Sequence, residues 1–178
     1  MCMRDSFGSF DFVSLGDNIL KDTNSLRSRM INNFNIQSFN FISNKGFKNN
    51  LNYYLKNTIT AGKNNVEYDS SPEVKFSNII EMKSSFPLVK LDVNYLSYIS
   101  PKLSLRINPS SMKFYGDKKR KINNDNIFNI NRLGLIDTLE TGQNLTLGID
   151  YKKEKLDNIN RFFEAKLGTV LRLSLIHI

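Results

Sequence analysis

The sequence predicts an all-β chain, an antiparallel meander of about eight long strands that reads as an open fragment of a transmembrane β-barrel. Three observations predict it. Apolar and polar residues alternate with period two through most of the 178 residues, so an extended chain sends its apolar side chains out by one face. No stretch carries a helical period. Many alternating runs are ten residues or longer, whereas strands of soluble sheets average about five or six. Runs of about nine to eleven residues with a water-compatible second face are the pattern of a strand that crosses a bilayer.

Both ends are set aside before the elements are read. Residues 1–6 (MCMRDS) and 173–178 (LSLIHI) read as translated sequencing adapter. The transposase tag AGATGTGTATAAGAGACAG, taken from its third base, gives Met-Cys-Ile-Arg-Asp-Ser, and its reverse complement gives Leu-Ser-Leu-Ile-His-Ile. The second hexapeptide matches throughout and the first differs only at Met3, a pairing that selection on a protein does not explain. The natural segment is then 7–172, one partial barrel domain. Cys2 and His177 fall in the ends and are the only cysteine and histidine, and there is no tryptophan. The remainder carries no thiol nucleophile, histidine base, Cys/His zinc site or disulfide framework.

Residues 7–15 (FGSFDFVSL), with Phe10 and Phe12 two apart, predict the first strand, and the polar run 16–25 its connector. Residues 27–42 predict a long extended segment in which Phe34 and Ile36, then Phe39 and Phe41, keep period two with a slip between the pairs, as a bulge produces. Asn44, Lys45 and Gly46 signal a tight turn. Beyond it Leu51, Tyr53, Leu55 and Ile59 alternate with Asn52, Tyr54, Lys56 and Thr58, which completes a hairpin. Residues 61–75, polar and containing Gly62 and Pro72, predict a long loop. The alternation resumes over 76–90, with Ile80, Met82 and Phe86 against Glu81, Lys83 and Ser85. Pro87 lacks a ladder donor and marks a strand end.

A connector at 92–97 leads to SPKLSLRINP (100–109), where Leu103, Leu105 and Ile107 face one way and Lys102, Ser104, Arg106 and Asn108 the other, with prolines bracketing the strand. After the polar excursion 110–125, which contains GDKKRK, residues 126–152 predict two strands joined by a polar turn at 138–144. The second shows the cleanest alternation in the chain, Leu145, Leu147, Ile149 and Tyr151 against Thr146, Gly148, Asp150 and Lys152. The first rests on Phe128 and Ile130 against Asn129 and Asn131. A short turn at 156–160 precedes the last strand, 161–172, with Phe163, Ala165, Leu167 and Leu171 opposed to Glu164, Lys166 and Gly168. The joins at Asn44, Asp92 and Thr138 are shorter than those at Ala61 and Ser110, as when short turns alternate with long loops across a membrane. The short turn at Leu156 breaks that alternation.

The formal charge is +8, and removing the ends leaves it unchanged because Arg4 and Asp5 cancel. Lys, Asn and Ile, all with AT-rich codons, abound, so a low-GC genome accounts for the basicity better than a nucleic-acid surface, whose clustered bases and aromatic motifs are missing. Mean hydropathy is -0.36, and no segment approaches the roughly 18 consecutive apolar residues of a spanning helix. Neither a nucleic-acid partner nor a cofactor is expected.

At SPKLSLRINP, NIFNINRLGLID and GQNLTLGIDYK the chain resembles the barrel domain of the LptD family, outer-membrane proteins that insert lipopolysaccharide. The family shows a strand of the type SPKL-x-LR, a polar external loop, an Asn-Arg near a strand, a short connection from Asp to Gln, and a Leu-Gly in a charged strand. In this chain those are residues 100–106, Asn131 and Arg132, Asp137 to Gln143, and Leu147 with Gly148. The likeness covers about residues 100–168 and is one of texture alone over 7–75. The resemblance implies an outer-membrane barrel closed by many more strands, a periplasmic domain that receives lipopolysaccharide, a plug lipoprotein, periplasmic bridge proteins, and lateral release between the first and last strands. The cysteines that some members use for inter-domain disulfides are absent. Two other readings compete: a porin or nutrient-uptake barrel, and a soluble β-sandwich binding module. The sandwich needs a dry second face, and here that face carries Lys, Asn, Asp and Arg on successive strands.

Lys102, Arg106, Arg132, Lys152 and Lys166 fall on the polar faces of their strands and are the candidate lumen-facing bases. They are of the type that holds lipopolysaccharide phosphates through charge-assisted hydrogen bonds. The reading favoured is plainer, a wet lumen that tolerates charge, with Asp150 and Glu164 pairing neighbouring bases. Leu103, Leu105 and Ile107, with Leu145, Leu147 and Ile149, are predicted to form one lipid-facing band. Carboxylates are scattered and no pair is set apart for acid/base work, so the chain is not expected to be an enzyme.

Overall fold

The structure, a computed structural model, describes residues 8–66, 68–110, 122–136 and 138–173, the side chain of Ile159 excepted. Residues 1–6, all but the first of 173–178, the GDKKRK stretch and Asp137 lie outside the described residues, and so do the expectations placed on them. Within the described residues the chain is all-β: β1 (Gly8–Lys21), β2 (Ser25–Ser38), β3 (Phe41–Ile42), β4 (Lys48–Lys63), β5 (Glu73–Ser85), β6 (Leu88–Leu91), β7 (Tyr95–Asn108), β8 (Gly142–Lys155) and β9 (Asn158–Leu173). They form one open antiparallel sheet in the order β1-β2-β4-β5-β7-β8-β9, with β3 on β4 and β6 on β7. Sequential neighbours pair throughout, as a meander requires.

The two short strands are continuations. β2 and β3 share β4 as partner, and four steps from Gln37 to Phe41 match three from Asn52 to Asn49, so the expected slip is one extra residue at Phe39–Asn40. β5 and β6 share β7 in one register, interrupted at Phe86–Pro87. Pro101 does not bracket its strand but lies inside β7, opposite that interruption, so the two residues without an N–H donor adjoin. Its carbonyl still accepts from Phe86 N at 3.0 Å. The polar run 16–25 is also more strand than connector: β1 continues to Lys21. A tight turn follows, with Asp22 and Thr23 at φ 49 and 54 and Asn24 N donating to Lys21 O at 3.2 Å. Positive φ at both central residues matches the twist of the strands it joins.

The segment 126–152 is only half as expected. Its second half is β8, but residues 124–133 are turns and no strand forms at Phe128 and Ile130. Their alternation reflects how the loop lies on the sheet: Phe128 and Ile130 are half-buried while Asn129 and Asn131 are exposed, and Ile127, Leu133, Leu135 and Leu139 of the same loop are buried. With that strand removed, the turns sort by end. The connectors at 43–47, 92–94 and 156–157 share one end of the sheet, and those at 64–72 and 109–141 share the other, together with the tight turn 22–24. The short Leu156 turn therefore sits on the short-turn side, and the irregularity in the sequence pattern came from the strand that is not there. Thr138 is the returning arm of the long connector rather than a hairpin turn.

Candidate functional site

The sheet is polar where it is buried and apolar where it is exposed. Among the described residues, buried strand positions include Asn50, Asn52, Lys56, Thr58 and Thr60 of β4, Ser77 and Glu81 of β5, Ser104, Arg106 and Asn108 of β7, and Asn144 and Thr146 of β8. Among the described residues, Ile31 and Ile79 are the only large buried apolar residues of strands, and the other four belong to the loop. The ladder explains the sorting. Asn52 pairs with Glu81, Glu81 with Arg106, and Arg106 with Asn144, all at even spacing on one face. On the other face Phe10, Ile36, Tyr53, Ile80 and Ile107 stand in one cross-strand row, and Leu51, Met82, Leu105, Leu145 and Leu171 in the next.

Glu81 is the hub of the polar face. It is wholly buried, and it accepts from Arg106 Nε at 2.7 Å, Ser104 Oγ at 2.9 Å, Asn52 Nδ2 at 3.2 Å and Tyr54 Oη at 3.5 Å. The Lys83 ammonium stands 3.1 Å from it. A buried carboxylate is tolerable only with such a set of donors.

The loop is pinned to this face by a second cluster. Arg132 grips Glu140 with two hydrogen bonds, Nε to Oε2 at 2.7 Å and Nη2 to Oε1 at 2.9 Å, and donates from Nη1 to Thr146 Oγ1 at 2.8 Å. Arg172 of β9 reaches the same carboxylate at 3.1 Å. Further along, Lys56 Nζ donates to Ile136 O at 2.8 Å, Asn108 Nδ2 to Glu140 O at 3.0 Å, Leu139 N to Ser77 Oγ at 3.3 Å, and Asn124 Nδ2 to Lys166 O at 2.8 Å. The segment thus touches β4, β5, β7, β8 and β9. Its apolar seat is the cross-strand pair Gly148 and Gly168. A Cβ on Gly148 would stand 2.7 Å from the Phe128 ring, and one on Gly168 would stand 3.0 Å from Ile127. Glycine at both positions lets the loop lie against backbone.

The five candidate bases reach this face by different routes. Lys102 pairs with Asp150 and lies 5.9 Å from the Phe128 ring centre. Arg106 is buried on Glu81, and its Nη1 and Nη2 have no hydrogen-bond acceptor among the described residues. Arg132 is not on a strand; it reaches the polar face from the loop. Lys152 pairs with Glu154 at 2.5 Å and sits over the Phe162 ring. Lys166 lies 2.9 Å from Glu164 and 3.7 Å from Asp125. The six apolar candidates share the opposite face, Leu103 directly across from Leu147 and Leu105 from Leu145, while Ile107 meets Gln143 and Ile149 meets Pro101.

Sequence reasoning missed Glu81, Glu140 and Arg172. The signal for Glu81 was present, since it stood with Lys83 and Ser85 on one face, but its importance depends on a register with Arg106 that no single strand displays. Glu140 was hidden by reading 138–144 as a turn. Compared with protein-family models, curated proteins and solved structures, the chain matches none.

Proposed function

We propose that this chain forms part of the wall of an outer-membrane β-barrel that inserts lipopolysaccharide into the outer leaflet, a transport function without catalysis. The observation that carries the membrane part is the reversed sorting of polarity, apolar rows outside and a hydrogen-bonded polar network inside. In water, that arrangement exposes Phe10 at 61%, Phe76 at 65% and Leu167 at 70%, a large apolar surface that a soluble protein does not leave bare. A bilayer covers it, and a polar lumen accounts for the other face. The apolar band also slants. The ladder row of Leu103 and Leu147 carries Ser84 and Asn49 on β5 and β4, whereas the row of Phe12, Phe34 and Leu55 carries Asn78 on β5. A horizontal belt crosses ladder rows obliquely when strands tilt, by about 35–45° in such barrels. Both long connectors, 64–72 and 109–141, share one end with the tight turn 22–24, and the other end carries only the shorter joins 43–47, 92–94 and 156–157, which agrees with external and periplasmic sides.

What supports lipopolysaccharide as cargo is the resemblance to the LptD family over 100–168. The partners it implies are a plug lipoprotein in the lumen, periplasmic bridge proteins and outer-membrane lipid. A porin or uptake barrel is the second reading, and the loop folded onto the polar face favours it, because such a loop narrows a channel. Photocrosslinking in cells separates the two. With the probe at Ser100, on the polar face, adducts with lipopolysaccharide and a lipoprotein are expected; with the probe at Leu103, adducts with phospholipid. Steady ion conductance with no lipopolysaccharide adduct at Ser100 would give the porin reading.

A further inference from the structure

Near the short-turn end, β6, β7 and β8 form a cleft of about 460 Å³. Its base is one cross-strand row on the apolar, outer face. Lys90 of β6 and Lys153 of β8 lie directly across from Ser97 of β7 on its two sides, so strands about 4.8 Å apart set the two lysine backbones about 10 Å from each other. Tyr95 lies on the turn side of that row, and on the other side Ile99, between Leu88 and Tyr151, makes the next outward row. The cleft is charged at one level and apolar at the next.

Lys90 and Lys153 are exposed, and neither has a carboxylate partner among the described residues. Their neighbours do: Lys152 pairs with Glu154 at 2.5 Å and Lys155 with Asp157 at 2.6 Å. Lys153 Nζ stands 4.4 Å from the Tyr95 ring centre, a contact that positions the ammonium without neutralising it. Of the residues lining the cleft, Asp92 alone is acidic, and its Oδ1 accepts from Val93 N at 2.8 Å. One carboxylate against two ammonium groups leaves the cleft positive, complementary to an anion. The height of the row narrows the choice. Ser97 is six residues from Leu103 on β7, which on a strand tilted by about 35–45° is about 15 Å along the barrel axis. Half of an apolar band about 25 Å tall is about 12 Å. With Leu103 and Leu147 near the middle of the band, the lysine row falls just outside the hydrocarbon, at headgroup level, where tyrosine rings collect.

We infer that this cleft binds the headgroup of an anionic phospholipid in the leaflet on the short-turn side, its phosphate between Lys90 and Lys153 beside the Ser97 hydroxyl. The acyl chains run over Leu88, Ile99 and Tyr151 into the apolar band. Ammonium groups serve as compact point charges for phosphate, and lysines at a membrane surface favour anionic lipid. A charged row that directly adjoins an apolar one fits a molecule charged at one end and oily at the other, rather than a free anion. The inference rests on the membrane reading and goes beyond it, because a bilayer that merely covers the band has no preference among headgroups.

The chain has no tryptophan, so Tyr95→Trp supplies a single fluorescent reporter in the cleft that keeps a ring against Lys153, and Leu147→Trp supplies one in the band. Each full chain is folded in phosphatidylcholine vesicles, and quenching by brominated phosphatidylglycerol is compared with quenching by brominated phosphatidylcholine. With Tyr95→Trp the anionic lipid is expected to be preferred about fivefold, the effect of about one net lysine charge at a membrane surface. With Leu147→Trp the two lipids are expected to agree within about twofold. Added to Tyr95→Trp, Lys90→Gln and Lys153→Gln each remove the preference, Lys90→Arg and Lys153→Arg keep it and report that the fold is intact, and Asp92→Asn raises it about fivefold further. Equal quenching by both lipids at both reporters, or a preference that survives both glutamine substitutions, overturns the inference. A preference that inorganic phosphate competes away also overturns it, and gives the cleft to a free anion. Failure of the membrane reading shows separately, as no quenching by any brominated lipid at either reporter, and takes the site with it.

Discussion

The wall made by β7, β8 and β9 and the wall made by β1, β2 and β4 are built to different rules. In the first, outward rows such as Leu105, Leu145 and Leu171 are apolar, and the inward side is charged, paired and covered by the loop. In the second, the outward face is broken by a polar row. Ser14 Oγ donates to Asn32 Oδ1 at 2.7 Å, and Asn32 Nδ2 donates to Asn57 Oδ1 at 3.1 Å. The inward side of β1 meanwhile carries Val13 and Leu15, exposed at 49% and 58%. Strict alternation therefore belongs to the stretch of wall that has a fixed environment on each side. The loop and β7–β9 act as one packed unit, whereas β1 mixes apolar and polar residues on both faces.

The largest effect that sharpens this contrast comes from the two carboxylates that each hold a pair of arginines. Glu140 binds Arg132 and Arg172 and its side chain is 3% exposed. Asp17 binds Arg27 at 3.3 Å and Arg29 at 2.7 Å, but at 32% exposure. Glu140→Ala leaves a buried guanidinium unpaired and is expected to cost about 3–5 kcal/mol. Asp17→Ala is expected to cost under about 1 kcal/mol. Denaturant titration of the chain folded in lipid vesicles measures both, and equal costs would break the distinction between the two walls.

A charge on the outer face comes next. Leu147→Arg places it near the middle of the apolar band, at about 2–4 kcal/mol in a bilayer. The matching inward substitution needs a site with room. Thr146, its neighbour in sequence, has none: it is fully buried and accepts from Arg132. Ser100, half-buried on the inward face opposite Asp150, is the proper control, and Ser100→Arg is expected to cost much less. A larger penalty at Ser100 would make the apolar face a protein core.

How much of this was legible follows from the same contrast. Strands β4, β5, β7, β8 and β9 were readable because period two reports a wall with one oily and one wet side, and each strand carries that signal by itself. The loop was misread at Phe128 and Ile130 because an inward-folded segment also alternates, half-burying those two and leaving Asn129 and Asn131 exposed. Of the site, the bases were readable as polar-face residues. Of their partners, Asp150 and Glu164 were readable too, the first beside Lys102 on the adjoining strand and the second two residues from Lys166 on the same one, whereas the Arg132, Glu140 and Arg172 cluster joins a loop to β9 and depends on the tertiary fold. The one sequence trace of the pinned loop is glycine at two facing positions, Gly148 and Gly168.

Those glycines supply a smaller test. Gly148→Ala forces a Cβ to 2.7 Å from the Phe128 ring and is expected to cost about 1–3 kcal/mol through overpacking. Gly16 of β1 has nothing nearer than Arg29 O at 3.8 Å, so Gly16→Ala should stay within about 0.5 kcal/mol or stabilise slightly, since an alanine restricts the unfolded chain. Limited proteolysis of the loop provides a second readout, with faster cleavage expected for Gly148→Ala alone. A destabilised Gly16→Ala with an unaffected Gly148→Ala would place the close packing on the wrong wall.

The smallest effect concerns the polar row on the outer face, and there the sign matters more than the size. Asn57 lies between Leu55 and Ile59 on the outward side of β4, and its Oδ1 accepts from Asn32 Nδ2. Hydrogen bonds between side chains facing lipid contribute about 0.6 kcal/mol on average, while leucine is favoured over a polar residue in hydrocarbon. If this wall meets lipid at that level, Asn57→Leu therefore gains slightly, by under about 1 kcal/mol, with Asn32 still held by Ser14. Should the row instead face water or a polar protein surface, the same change loses the hydrogen bond and exposes apolar area, and stability falls. The measurement is a denaturant titration in vesicles of thin and thick bilayers. A gain that grows with thickness puts the row inside the hydrocarbon, where the two walls differ only in composition, and a loss in both means that the outer face of β1, β2 and β4 is not lipid-exposed at this height.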